Sequence, residues 1–238
     1  MINVAQIGIG YWGPNILRNL VNNASTRVIM VADLSEERGN YVSSLYPDVE
    51  FSTNSTDVIN DDRIDAVVIA TPVHNHFKIA MQCLKAGKHV LVEKPMAMNV
   101  LEVDQIEQLS KKNNLVAMVG HTFLYNSAVT YIKKIIDNGE IGDVRYIYSQ
   151  RTNLGRIRND IDALWNLAPH DISIIQYWLD ESSPISISRQ GMAFVQSGID
   201  DVVFLNLKYP KNIMANIHVS WLDPHKTCLL YTSPSPRD

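Results

Sequence analysis

Cysteine is nearly missing from this sequence. Its two copies, Cys83 and Cys228, are too few and too far apart for a disulfide framework or a zinc site. Long apolar runs are missing as well: none reaches the roughly 18 residues of a membrane-spanning helix. The N-terminus runs straight into strand-like residues, without the basic and apolar regions of a signal peptide, so the expected location is the cytoplasm. An excess of charge is the third absence. Lys and Arg total 21 against 25 Asp and Glu, a net charge of -4, which gives no footing to an electrostatic nucleic-acid binder or a membrane-surface protein. What is present is ordinary globular material, 46% apolar and 19% charged in 238 residues, enough for one large domain or two modest ones. Cys83 falls on a helical pattern and is read as a small core residue rather than a nucleophile.

The most informative stretch is Lys88 to Pro95, KHVLVEKP. Residues 89–92 read as a short buried parallel strand that stops at an acid, a base and a proline. Charged groups at the end of a buried strand are costly unless they meet a ligand or each other, which puts Glu93 and Lys94 in the crevice where open α/β sheets bind ligands. Pro95 restricts Lys94 to extended geometry and raises the chance of a cis peptide. A surface ion pair closing an ordinary strand is the alternative.

Upstream, residues 2–9 read as an apolar strand that runs into Gly8, Gly10 and Gly13 in the frame G-x-G-x-x-G. Tyr11 and Trp12 lie inside that loop, and Pro14 opens a helical pattern. The first glycine permits the tight turn, the second lets a pyrophosphate approach the backbone, and the third lets the helix pack on the strand. Free N–H groups and the dipole at the helix start favour phosphate charge. The next strand, residues 28–32, ends in Asp33, 20 residues after Gly13, where an acid accepts hydrogen bonds from ribose hydroxyls. Asp33 would repel a 2′-phosphate, which favours NAD over NADP; as an alternative, it merely caps the helix starting near Ser35.

The alternation continues with a helix over 36–46, a short strand over 49–52, a buried strand over 66–70 and a helix over 77–86. Thr71 and Pro72 stop the buried strand and, with His76, form a candidate cofactor loop. His74 is left uncommitted, since the His74/His76 pair lacks a nearby third metal ligand. A helix over 101–110 and a strand over 115–119 follow. The pattern implies an α/β fold, a doubly wound parallel sheet filling residues 1–122, followed by an α+β domain over 123–226 with an open, largely antiparallel sheet.

In that second part a helix is expected over 128–138 and a strand over 144–150. Arg151, Arg156 and Arg158 then fall in a polar loop over 151–162, where they either grip a diphosphate or are simply balanced by Asp160 and Asp162. In LWNLAPHDISIIQYWL, Pro169 suits a first helical turn. With Asn166 as the cap, His170 lies near the positive end of the dipole, which favours the neutral imidazole able to accept a hydroxyl proton. Strands are expected over 185–195, 201–209 and 213–221, the last two joined as a hairpin across 210–212. After Lys226 the Ser/Pro-rich close has no periodicity. Residues 227–238 are read as a non-native tail on a truncated chain, unable to pack as a strand or helix.

Taken together, GIGYWGPN, VADLSEER, AVVIATPVHNH, AGKHVLVEKP, GHTFLYNSAV and LWNLAPHDISII resemble the Gfo/Idh/MocA oxidoreductases over roughly residues 1–224. The resemblance implies a Rossmann domain and a second domain whose sheet closes one side of the active site. It implies that Lys94 hydrogen-bonds a substrate hydroxyl, that Glu93 contacts the nicotinamide ribose, that Trp12 approaches the cofactor and that His170 is the catalytic base. It also implies a sugar or nucleotide-sugar substrate, as in UDP-N-acetylglucosamine 3-dehydrogenases, with inositol-type polyols as the alternative, and homo-oligomers formed through the second sheet. Asn166 departs from relatives that carry an acid there; asparagine can orient the imidazole or bind substrate, but it cannot stabilise an imidazolium as a carboxylate would.

Overall fold

A computed structural model of the chain describes residues 1–154, 157–180 and 182–233. They divide into two compact units, Met1–Gly120 and His121–Asp238. The first contains strands β1 (Ile2–Ile7), β2 (Thr26–Ala32), β3 (Glu50–Ser52), β4 (Ala66–Ile69), β5 (His89–Val92) and β6 (Ala117–Val119). Between them run helices α1 (Gly13–Asn22), α2 (Glu36–Leu45), α3 (Ser55–Asn60), α4 (His76–Lys85) and α5 (Val100–Lys112). The strands form one parallel sheet in the order β3-β2-β1-β4-β5-β6. Strand order reverses between β1 and β4, the switch point at which such sheets bind ligands.

Both faces of this sheet are covered, which is why its strands read as continuous apolar runs. Ala5, Ile7, Val67, Ile69, Val90 and Val92 pack with Ala80, Cys83 and Leu84 of α4 on one face. Val4, Val28 and Val31 pack with Leu17 of α1 and Val42 of α2 on the other. Cys83 is buried in the first cluster, and burial pushes its thiol up to about 12 against a smaller opposing pull from Lys88. That is the chemistry of an inert core residue. Under the sheet, the Lys88 ammonium is also buried and donates to the carbonyls of Asp61 and Ile64 at 2.6 and 2.9 Å.

The second unit contains α6 (Ser127–Asp137), β7 (Tyr146–Thr152), α7 (Ala163–Trp178), β8 (Ser186–Met192), β9 (Val202–Tyr209), β10 (Ile213–Ser220) and β11 (Thr227–Ser233). The sheet order is β11-β7-β10-β9-β8. Only β7 and β10 are parallel; the other neighbours are antiparallel. Leu205, Leu207, Ala215, Ile217 and Val219 pack against Ile174, Ile175 and Trp178 of α7. The Trp178 indole donates to the Val129 carbonyl of α6 at 3.0 Å. The expected hairpin is present, turning through Lys211 and Asn212 at φ 59° each.

Several boundaries differ from the sequence expectation. β1 stops at Ile7 because Gly8 adopts φ +97°, which no strand continues through. β7 runs on through Arg151 and Thr152, which pair with Val219 and Ser220 of β10, so the expected polar loop begins later. β8 is confined to Ser186–Met192. The largest difference is at the end of the chain, where residues 227–233, read as unable to form a strand, pair antiparallel with β7 from Thr227↔Thr152 to Ser233↔Tyr146. Pairing at a sheet edge needs only backbone N–H and C=O groups, and the prolines of the tail come after the paired stretch.

Candidate functional site

The glycine loop shows a separate reason for each glycine. At Gly8 a Cβ would lie 2.6 Å from the Ala70 carbonyl, and at Gly13 it would lie 2.8 Å from the Gly8 carbonyl oxygen. Packing inside the chain forbids a side chain at both. At Gly10 a Cβ would meet nothing within 4 Å. Open space in front of the second glycine is what a pyrophosphate needs to approach the backbone of such a loop. Tyr11 and Trp12 flank it, 83% and 50% exposed.

Asp33 is half-buried beside the loop. Its Oδ2 accepts from the Ile9 N–H at 2.8 Å and its Oδ1 from the Ser35 N–H at 3.0 Å. The cap of α2 is Ser35, whose hydroxyl accepts from Arg38 N–H at 3.4 Å. Asp33 is therefore a brace between β2 and the glycine loop. A carboxylate offers about four lone-pair sites, so capacity remains for a ribose hydroxyl. Sequence reasoning missed Gln6, a fully buried amide in β1 whose Nε2 donates to the carbonyls of Gly8 and Gly13 at 2.8 and 3.0 Å. The signal was available: a polar amide in the middle of a buried strand, two residues before the first glycine.

The ends of β4 and β5 lie on the same edge as the glycine loop. Ala70 N–H bonds Ile7 O at 2.8 Å, and Glu93 N–H bonds Ile69 O at 2.9 Å. Thr71 and Pro72 lead from β4 into a 3-10 turn over Val73–Asn75. His76 opens α4. The residue is 2% exposed, with its ring Nδ1 2.8 Å from Pro95 O and Nε2 2.8 Å from Thr71 O. It ties the loop after β4 to the loop after β5, the two loops expected to meet a cofactor. Glu93 Oε2 accepts from Lys94 N–H at 3.2 Å, and its other oxygen would lie 3.2 Å from a Cβ at Gly120. Burial raises the Glu93 carboxyl, opposed by the charge and backbone N–H of Lys94. The Lys94–Pro95 peptide is cis.

In the second unit, α7 begins earlier than expected. Asp162 is its cap, with Oδ1 accepting from Trp165 N–H at 2.9 Å, and Pro169 lies inside the helix. His170 is consequently more than a turn from the helix start, beyond the reach of the terminal dipole, so the expected dipole effect on its imidazole does not apply. Asn166 is not the cap; it sits four residues before His170 on the same helical face. The His170 ring packs on Phe123 with centroids 4.8 Å apart, and the Arg151 guanidinium lies 4.7 Å over the same Phe123 ring. Arg151 is in β7, not on the loop. Its Nε and Nη2 donate to Asp171 at 2.7 and 2.9 Å. Burial disfavours the Arg151 cation, but the Asp171 carboxylate outweighs it and the guanidinium is held above its ordinary value. Asp171 is thereby a structural partner of Arg151. Arg158 is likewise paired, with Asp160 at 2.8 and 2.5 Å. Arg156 lies outside the described residues. Among the described residues, no group of three His, Cys, Asp or Glu is placed to hold a metal ion.

Residues 2–121 match the oxidoreductase family with an NAD-binding Rossmann fold, and residues 129–233 match the GFO/IDH/MocA C-terminal domain. The chain belongs to the Gfo/Idh/MocA family. Its first unit is the family's NAD-binding domain, and the loop that leaves Gly10 open while Asp33 stands beside it fits that cofactor. Over 184 residues the chain is 30% identical to 4-carboxy-2-hydroxymuconate-6-semialdehyde dehydrogenase of Sphingobium sp., covering 74% of this chain and 58% of that protein. It is 29% identical to inositol 2-dehydrogenase 1 of Saccharopolyspora erythraea, covering 79% of this chain and 57% of that protein. The chain therefore spans less than two thirds of these curated relatives. The crystal structure of GenD2 from gentamicin A biosynthesis, in complex with NAD, superposes with a TM-score of 0.93 at 20% identity, over 98% of this chain and 70% of that one.

Proposed function

We propose that this Gfo/Idh/MocA chain oxidises a secondary hydroxyl of a sugar or nucleotide sugar to a ketone, with NAD as its partner. The observation that carries the reading is the placement of Glu93 and Lys94 at the end of β5, on the edge that also bears Gly10 and Thr71. When bound, NAD supplies the hydride acceptor. Glu93 holds the nicotinamide ribose, while Asp33 takes the adenosine ribose. Lys94 hydrogen-bonds the reacting oxygen and stabilises the negative charge that develops there. His170 accepts the hydroxyl proton, with Asn166 beside it on α7 to orient the ring or bind substrate.

A specific observation favours inositol-type polyols as a second reading. Arg151 and Arg158 are committed to Asp171 and Asp160, which weakens the case for a diphosphate grip. A screen of free sugars, inositols and UDP-sugars for NADH formation separates the two. With whichever substrate turns over, Lys94→Ala is expected to lower the rate on the order of a hundredfold to ten-thousandfold. Near-parental turnover in that variant would remove Lys94 from the chemistry.

A further inference from the structure

Gln6 has no exposed surface, between Ala5 and Ile7 in the central strand β1. Alternation places it on the Val4 side of the sheet, toward α1. A buried primary amide is costly unless it is hydrogen-bonded, and this one spends its donors in a specific way. Nε2 reaches the carbonyls of Gly8 at 2.8 Å and Gly13 at 3.0 Å. Both partners are acceptors only, so the amide orientation follows from chemistry: reversed, Oε1 would face two carbonyl oxygens. In the orientation adopted, Oε1 is buried without a hydrogen-bond partner among the described residues. An aliphatic residue would fill the strand without that cost, so the amide is kept for the two carbonyls it holds. These belong to the first and third glycines, the two ends of the loop whose middle is open at Gly10.

We propose that Gln6 is a positioning residue of the cofactor site, fixing the span between Gly8 and Gly13 and with it the pose in which the loop's backbone N–H groups meet a diphosphate. The inference rests on NAD binding to the first unit and goes further, since it assigns to a residue that touches no ligand a selective effect on the phosphate part of the cofactor.

The test compares ligands with and without the diphosphate. Gln6→Met preserves shape, removes the donors and removes the unpaired oxygen. With two net hydrogen bonds lost from the loop, the dissociation constants for NAD and ADP are expected to rise roughly tenfold, while that for adenosine stays unchanged. Equal weakening of ADP and adenosine would mean general damage and overturn the proposal. Unchanged ADP binding would overturn it too, leaving NAD binding itself intact. Should Gln6→Met fail to fold, the parent protein still decides the matter by NMR. The Gln6 side-chain amide protons are expected to exchange slowly and to shift on addition of ADP but not adenosine; no shift, or the same shift with both, overturns the proposal. A parent chain that binds neither NAD nor ADP would sink the cofactor reading together with this one.

Discussion

Glu93 is the residue at which function and stability pull apart. Burial raises its carboxyl above the unfolded value, so the folded state holds the proton more tightly than the unfolded chain. Its stabilising contribution is full below the unfolded pKa and is lost as pH rises through the raised folded one. Glu93→Gln keeps a neutral side chain at every pH. Melting temperatures measured across the acidic to neutral range are therefore expected to converge at low pH and separate as pH rises, with the variant more stable at neutrality; parallel curves would show that Glu93 carries no such penalty. The same substitution is expected to weaken NAD binding, because the amide cannot serve the ribose as a carboxylate does. The strand-end acid was legible in KHVLVEKP because charge at the end of a buried run is conspicuous. The role of His76 was not, because its partners are backbone carbonyls 5 and 19 residues away, and no side-chain pattern encodes them.

At the level of elements, β7 and α7 show why the second half was harder to read. Asp162 and Asn166 are both good caps, and Pro169 suits a first turn, so local rules favoured a start four residues too late. The earlier start is held by contacts from elsewhere: Arg189 of β8 bonds Asp162 at 2.9 Å, and Ala163 is fully buried. Asp162→Ala is expected to cost about 0.5–2 kcal/mol, as loss of a true cap does, and Asn166→Ala much less; the reverse order in urea unfolding would restore the later start. The Arg151–Asp171 pair spans the same two elements and is buried on both sides. Removing one partner strands a charge, so Arg151→Ala should cost about 3–5 kcal/mol, while the double change Arg151→Met, Asp171→Leu should come out near neutral. A double variant as unstable as the single one would mean that the pair is not the source of the loss.

Across the whole molecule, the parallel sheet could be read because its inner strands β1, β4 and β5 carry apolar runs of their own and helical periods separate them. The last strand of the second sheet was not read, because TCLLYTS was taken together with the Ser/Pro-rich close that follows it, and its pairing with the edge of β7 is a contact with residues 75 or more positions earlier. Each unit has a core of its own, and the cofactor loops all belong to the first. A ligand that binds only the folded state stabilises it by about 2.7 kcal/mol at roughly 100 times its dissociation constant. With NAD at that level, hydrogen exchange is expected to slow by roughly a hundredfold in the most protected amides of β1, β4 and β5. Local protection should appear at residues 8–13, 33–35, 71–76 and 93–95. Those segments are separate in sequence and share only the carboxyl edge of one sheet, so their joint protection tests the placement of the cofactor rather than any single contact. Protection confined to residues beyond 120, or absent from the glycine loop, would contradict that placement.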